Sequence, residues 1–163
     1  MLVVGIDPGT ATTGYGFLYE DKEGKVSTID FGVISTSPDL PMHERLLDLH
    51  RQLKKIILLY HPESGAVEKL FFQKNVRTAL SVGQARGVTL FTLAEAGIGV
   101  SEYTPLEVKQ AVTGYGGADK NQVQQMVRAL LGLDSIPQPD DAADALAIAI
   151  CHLQNQHFSQ LLP

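Results

Sequence analysis

The sequence predicts an α/β protein built on one mixed, five-stranded sheet with helices on both faces. Short apolar runs of strand length recur along the chain, and segments with apolar residues at helical spacing separate the later ones. The predicted order is three strands in succession, then helix, strand, helix, strand and a series of helices, which requires both antiparallel and parallel pairs. The 163 residues, 44% of them hydrophobic, suit one compact domain over 1–163.

Three strands open the predicted sheet. The apolar run 2–6 is typical of a central strand buried on both faces, and a Pro-Gly pair ends it, so that Asp7 lies at the end of the strand. The segments 14–19 and 26–34 predict two more strands, separated by a polar hairpin turn.

A helix, a strand and a second helix follow. Apolar residues at helical spacing fill 42–60, and Pro62 ends that helix. The apolar segment 65–71 predicts a fourth strand, and a long helix over about 76–96 ends at Gly97.

The last predicted strand is 100–103, and helices at about 105–112, 120–131 and 141–157 complete the chain. The segment 141–150 is apolar all round except for two aspartates, which indicates a buried helix.

The formal net charge of −5 is unfavourable for a nucleic-acid-binding protein, but the charge is unevenly distributed. Residues 69–128 carry seven bases against four acids, a net +3, which leaves −8 for the rest of the chain. Metal ions on a group of acids would offset much of that negative charge, so a basic face is compatible with the composition.

The single cysteine, Cys151, excludes an internal disulfide and fits a reducing compartment, so cytosol is the expected location. The first residues lack the basic region of a signal peptide, and no stretch approaches the ~20 apolar residues of a membrane span.

Four acids lie where acids are energetically expensive. Asp7 ends a buried strand, Glu68 interrupts an apolar segment, and Asp141 and Asp144 share one face at the start of the apolar last helix. Each has a structural alternative. Asp7 can be a turn former, Glu68 can pair with Lys120 or an arginine, and Asp141 can cap its helix with Asp144 in the first turn.

The joint placement of the four acids favours a metal site, because no local basic residue follows Asp7 or Asp144. Carboxylate oxygens suit Mg²⁺ or Mn²⁺. Two such ions about 3.5–4 Å apart activate water and stabilise the leaving oxygen in phosphodiester cleavage. Nothing indicates zinc, and Cys151 and His152 are expected to be a core thiol and a helix histidine.

A set of short motifs runs in order along nearly the whole chain. They are Gly5-Ile-Asp-Pro-Gly-Thr10, Thr13-Gly-Tyr-Gly16, Ala66-Val-Glu68, Phe71, Lys74-Asn75, Gly83-Gln-Ala-Arg-Gly87, Val108-Lys-Gln110, Lys120, Gln122-Val-Gln-Gln-Met-Val-Arg128 and Asp141-Ala-Ala-Asp-Ala-Leu-Ala-Ile-Ala149. Together they resemble the RuvC family, Holliday junction resolvases with a ribonuclease-H-like fold.

The resemblance implies a set of site residues. The implied metal-binding catalytic acids are Asp7, Glu68, Asp141 and Asp144, with two Mg²⁺ ions per site and Mn²⁺ as a substitute. Lys120 joins them in catalysis, because a lysine there holds phosphate and offsets charge in the transition state. The predicted DNA-binding residues are Phe71, which would stack on opened junction bases, with Lys74, Arg77, Lys109 and Lys120. Asp140 is expected to be a cap or a rim charge.

The resemblance also implies partners and a role. These are a homodimer that nicks two strands of like polarity across a four-way DNA junction in recombination and repair, and the RuvA–RuvB branch-migration complex, with no membrane. Gly83 and Gly87, four residues apart, would serve either the dimer or the packing of helix on sheet.

Three other functions share part of this pattern. An actin-like or sugar-kinase-like ATPase shares the loop from Asp7 to Gly14, but 163 residues leave no room for its second lobe. A YqgF-type nuclease of ribosomal RNA processing shares the opening motif, but the helix of Lys120 and the Asp-Ala-Ala-Asp ending favour RuvC. A non-catalytic junction-binding module would have no need of four buried acids.

Overall fold

A computed structural model describes residues 1–69 and 76–161, apart from the side chains of 77 and 158–161. In chain order, its strands and helices are β1 Leu2–Asp7, β2 Thr12–Glu20, β3 Val26–Ser35, α1 Met42–Tyr60, β4 Ser64–Glu68, α2 Val76–Glu95, β5 Gly99–Tyr103, α3 Pro105–Thr113, α4 Lys120–Leu131 and α5 Asp140–Leu161. The α/β class and the order of elements predicted from the sequence are confirmed.

The five strands form one mixed sheet in the order β3-β2-β1-β4-β5. β1 pairs antiparallel with β2, and β2 with β3, as expected for strands joined by short turns. β4 pairs parallel with β1 and with β5. Helix α1 returns the chain from β3 to β4, and α2 returns it from β4 to β5, so these strands run in the same direction. The central strand β1 thus has an antiparallel neighbour on one side and a parallel neighbour on the other.

Helices cover both faces of the sheet, as predicted. On one face α1 and α2 pack against alternate residues of the strands, including Val4, Ile6 and Phe17. On the other face α3, α4 and α5 pack against the intervening residues, including Val3 and Ala66. Because side chains alternate along a strand, residues 3, 5 and 7 of β1 and residues 64, 66 and 68 of β4 point toward α5.

Glycines bring α5 unusually close to the centre of the sheet. A Cβ atom at Gly5 would overlap the carbonyl oxygen of Ala145, and one at Gly14 would overlap the carbonyl oxygen of Asp141. Gly16 similarly faces Leu146, whose side chain leaves no room for a methyl group. The backbone of α5 therefore rests directly on β1 and β2, with its first turn beside the end of β1.

Several boundaries differ from the prediction, among them the start of β2, which lies at Thr12 and not at residue 14. The fourth strand ends at Glu68 instead of Phe71, so Glu68 ends the strand and does not interrupt it; Lys69 N still donates to Tyr103 O at 2.7 Å. The last helix begins at Asp140, one residue earlier than expected, and continues to Leu161. Among the described residues, no helix has the length and apolarity of a membrane-crossing segment.

Candidate metal centre

Two of the predicted acids lie side by side at the carboxyl ends of neighbouring parallel strands. Asp7 is the last residue of β1 and Glu68 the last residue of β4, and the register pairs Ile6 with Val67 immediately before them. Both residues belong to the set that points toward α5. The carboxyl edge of a sheet beside a change of strand direction is a common place for sites in open α/β folds.

The other two acids come from the first turns of α5. The carboxylate oxygens of Asp7, Asp141 and Asp144 include one atom from each residue that lies within 4.8 Å of the other two. Thr12 Oγ1, at the start of β2, donates a 2.7 Å hydrogen bond to Asp141 Oδ2 and fixes the orientation of that carboxylate. Asp7, Asp141 and Asp144 are therefore close enough to bind one metal ion.

Glu68 lies in the same cavity but outside this close group. The cavity has a volume of about 270 Å³. It is lined by Asp7, Glu68, Pro105, Val108, Lys109, Lys120, Val123, Asp144, Ala147 and Ile148. The site thus has a floor of acids from β1, β4 and α5, and a wall from α3 and α4 that carries two lysines.

The electrostatics of the cavity are dominated by Asp7. Burial, together with the nearby charges of Asp144, Glu68 and Asp141, raises the pKa of its carboxyl to about 8. Burial and the charge of Asp144 also raise the pKa of Glu68, although Lys109 acts in the opposite direction. A carboxyl that holds its proton this firmly needs positive charge nearby to ionise at neutral pH.

Lys120 supplies part of that positive charge. Its Nζ lies 3.3 Å from Asp144 Oδ2 and 3.3 Å from Asp140 Oδ2. Burial lowers the pKa of Lys120, but the charges of Asp144 and Asp140 outweigh burial and raise it overall. The pKa of Asp144 is raised overall, because burial and the charges of Asp141 and Asp140 together outweigh the lowering by Lys120.

Asp140 differs from Asp7, Glu68 and Asp144, the acids that line the cavity. Its side chain is exposed and hydrogen-bonded to Lys120 and to Gln124 Nε2, and these bonds lower its pKa. Asp140 therefore behaves as a paired rim charge, whereas the pKa values of Asp7, Glu68 and Asp144 are raised.

The structural alternative for Glu68, an ion pair with Lys120 or an arginine, does not occur among the described residues. Lys120 pairs instead with Asp144 and Asp140. Arg86 donates to the backbone oxygen of Glu68 at 3.2 Å and pairs its guanidinium with Glu102. The expectation that Asp144 has no basic partner holds only locally, since Lys120 approaches it from α4.

The structure describes only some of the predicted DNA-binding residues. Lys109 and Lys120 both face the acid cavity. Phe71 and Lys74 lie outside the described residues, and Arg77 lies in α2 with its side chain outside them. Gly87 is exposed, and nothing lies within 4 Å of an added Cβ, so it does not serve the packing of α2 on the sheet.

Sequence reasoning missed Thr12 and Gln124. Thr12 stands next to the quoted Thr13-Gly-Tyr-Gly motif, but its bond to Asp141 spans 129 residues, and a threonine at the start of a strand carries no signal for such a contact. Cys151 is buried with its pKa raised to about 12 by burial, as expected for a core thiol. His152 is also buried, bonded to Ser64 Oγ and the Tyr103 hydroxyl.

The donor set fits a hard divalent cation. Every candidate ligand atom is a carboxylate oxygen, the type that Mg²⁺ and Mn²⁺ prefer, and the sulfur and imidazole ligands that zinc favours are absent from the described group. A cation there would favour the ionised form of all four acids, which is the form that burial and mutual repulsion oppose.

The chain is similar to known proteins over nearly its whole length. A family model described as crossover junction endodeoxyribonuclease RuvC matches residues 3–152. The crossover junction endodeoxyribonuclease RuvC of Roseiflexus sp. is 60% identical over 149 residues, which cover 91% of this chain and 88% of the relative.

Comparison with solved structures also finds RuvC proteins. The Thermus thermophilus RuvC structure superposes with a TM-score of 0.90 at 39% identity, covering 98% of this chain and 97% of that one. T. thermophilus RuvC in complex with Holliday junction substrate gives a TM-score of 0.87 at 37% identity, with 97% and 96% covered. The shared fold, the ordered motifs and these matches lead to one conclusion: the chain belongs to the RuvC family of crossover junction endodeoxyribonucleases.

Proposed function

We propose that this protein is a metal-dependent endonuclease that resolves four-way DNA junctions by nicking two strands of like polarity. The observation that carries the proposal is the convergence of acids from β1, β4 and α5 in one cavity with Lys109 and Lys120 on its wall. The RuvC relative of known structure with a Holliday junction supports the substrate. The comparisons do not favour an actin-like ATPase or a YqgF-type nuclease.

Asp7, Glu68, Asp141 and Asp144 are the ligands that we propose for Mg²⁺, two ions per site, with Mn²⁺ as a substitute. When bound, the ions would activate water and stabilise the leaving oxygen. Asp7, Asp141 and Asp144 lie close enough to share one ion. Glu68, at the end of the adjacent strand, is the ligand that would extend the site to a second.

The protein's own side chains have three further tasks. Thr12 holds Asp141 in orientation through its 2.7 Å hydrogen bond. Lys120 and Lys109 would bind the phosphate next to the scissile bond and offset the charge that develops there. Phe71, Lys74 and Arg77 remain proposed DNA contacts on the family resemblance.

The test is strand cleavage of a synthetic four-way junction compared with a linear duplex of the same sequence. With Mg²⁺, denaturing gels should show nicks at two symmetric positions of the junction, little cutting of the duplex, and no cutting in chelator. Equal cutting of both substrates would contradict the proposed selectivity for junctions, and cutting in chelator would contradict the proposed dependence on metal.

We also propose that the active form is a homodimer, because one acid cavity per chain cannot cut two strands in symmetry. The exposed face of α2 is the surface that fits a second copy. It presents Leu80, Gln84, Gly87 and Phe91, at spacings of four, three and four, with Leu80 64% and Phe91 58% exposed. The RuvA–RuvB complex, as a partner, remains a proposal from the resemblance, and the cytoplasm, as the location, remains a proposal from the presence of a single cysteine, Cys151.

Light scattering tests the dimer. The mass should be twice the 17.7 kDa of the chain, and Leu80→Glu should reduce it to that of one chain. Leu59→Glu is the matched control, because Leu59 is equally exposed, at 69%, but lies on α1. A parent mass of one chain at micromolar concentration, with and without junction, would contradict the dimer.

A further inference from the structure

An exposed apolar patch lies beside the acid cavity and has no role in the proposed chemistry. It consists of Tyr115, 65% exposed, in the loop between α3 and α4, and Leu106, 59% exposed, in the first turn of α3. Contiguous exposed apolar surface next to polar residues is a feature that marks binding sites. A ring beside a site that we assign to DNA therefore suggests a ligand.

The loop holds the Tyr115 ring in a defined place. The ring lies over the backbone of Gly117, where an added Cβ would be 2.6 Å from the ring. Thr113 Oγ1 accepts from Tyr115 N at 3.1 Å and donates to Tyr115 O at 2.9 Å, which fixes the backbone as well. Leu106 covers the neighbouring Gly116. The exposed ring is thus part of an ordered surface.

The patch lies on α3 and on the loop that joins α3 to α4, the two helices that form the wall of the cavity. Leu106 stands between Pro105 and Lys109, which line the cavity on α3, and Gly117 precedes Lys120, which lines it on α4, by three residues. The two nearby acids keep their charge, but each lies at a helix start whose partial positive charge offsets part of it: Glu107 accepts from Thr104 N, and Asp119 accepts from Gln122 N. A strand whose phosphate rests on the lysines would pass beside the ring.

We propose that Tyr115, supported by Leu106, stacks on a nucleobase that is unpaired at the crossover of the bound junction. The inference rests on the proposed function and deepens it, since it assigns a residue that selects an opened junction over a duplex. A phenol ring stacks on any base, because every base presents a π face. The lysines contribute affinity without regard to pairing, whereas the ring contributes only where a base is free.

Fluorescence anisotropy with a labelled four-way junction and a labelled linear duplex, both in chelator to prevent cutting, tests this role. Tyr115→Ala should bind the junction on the order of tenfold more weakly than the parent and the duplex equally well. Tyr115→Phe should bind both as the parent does, because it retains the ring. Tyr19→Ala is the matched control, since Tyr19 is 42% exposed but pairs with Leu2 at the opposite end of β1 from Asp7.

A second variant leaves the tyrosine in place and moves its ring. Gly117→Ala adds the methyl group that the ring would meet, at a backbone position without a positive φ, so the fold should be kept while junction binding weakens. The Tyr115→Ala loss should also be the same at low and high salt, because stacking releases no counterions.

Three results would overturn the inference: an unchanged junction affinity in Tyr115→Ala, an equal loss on the duplex, or a Tyr115→Phe variant as weak as Tyr115→Ala. None of these outcomes bears on the proposed function, because that function is tested by junction cleavage with the parent protein. A parent that cuts junctions selectively while Tyr115→Ala binds them equally well refutes the stacking role only.

Discussion

Neutralising Asp7 should stabilise the protein in the absence of metal, and the gain should grow with pH. The ordinary pKa of this carboxyl is 3.8, and burial with three neighbouring acids raises it to about 8. Between these values the folded chain keeps a proton that the unfolded chain has lost. The free energy of unfolding therefore falls as the pH rises from ~4 to ~8, and the stability present at low pH is lost.

The size of the effect follows from the same values. At pH 7 the unfolded carboxyl is ~3 pH units above its ordinary pKa, and each unit is worth ~1.4 kcal/mol, which gives a ceiling of ~4 kcal/mol. Asp7 retains some contact with solvent, so we expect ~2 kcal/mol. Asp7→Asn removes this cost but buries an amide, at ~1 kcal/mol. The net gain of ~1 kcal/mol corresponds to a rise in Tm of ~2–4 °C.

Thermal unfolding in EDTA at pH 5 and pH 8 measures this gain. Asp7→Asn should melt close to the parent at pH 5 and above it at pH 8. Added Mg²⁺ should then raise the Tm of the parent by more than that of the variant, because an ion stabilises the native state only as far as it binds there. Asp140→Asn is the matched control and should lower the Tm, since Lys120 and Gln124 stabilise the ionised form of Asp140. The reasoning is refuted if Asp7→Asn melts below the parent at pH 8, or if the difference between them does not depend on pH.

Three further variants test how the site is assembled. Gly14→Ala should lower both the Tm and the cutting rate, because its Cβ would displace Asp141, whereas Gly99→Ala, with open space around its Cβ, should match the parent in both. Thr12→Val should reduce Mg²⁺-dependent cutting and Thr12→Ser should preserve it, because serine keeps the hydroxyl that orients Asp141. An equal loss of cutting in both variants would contradict the orienting role of Thr12. The plot of log Kobs for junction binding against log salt concentration has a negative slope, and Lys120→Ala should make it less steep by about one. An unchanged slope would mean that Lys120 does not contact a phosphate.

The fold could be predicted from the sequence because burial leaves a simple pattern in it. Strands buried on both faces appear as apolar runs, as in β1, and helices with one buried face show helical spacing, as in α1 with its buried Leu49, Leu53 and Ile57. The end of β4 was misplaced because Leu70 and Phe71 continue the apolar run beyond Glu68. Hydrophobicity does not show where hydrogen-bonded pairing ends.

The candidate site could be predicted only as a set of residue types. Acids at the ends of buried elements are costly, and this cost made Asp7, Glu68, Asp141 and Asp144 stand out. Their relative positions depend on contacts that no local pattern encodes. The approach of α5 to the sheet depends on glycines of two strands, and the pairing of Lys120 with Asp144 joins α4 to α5. For the same reason, the raised pKa of Asp7 is a property of the assembled site.

The central claim is that the acid cavity cuts DNA, and single-turnover cleavage of a junction already bound to the protein tests it most directly. Asp144→Asn should bind the junction as tightly as the parent but cut it at least ~100-fold more slowly in Mg²⁺. Asp140→Asn should cut the junction at a rate within a few-fold of the parent. It is a matched control, because it also removes one negative charge, one turn away on α5, that pairs with Lys120. Near-normal cutting by Asp144→Asn, or an equal loss in both variants, would contradict the claim.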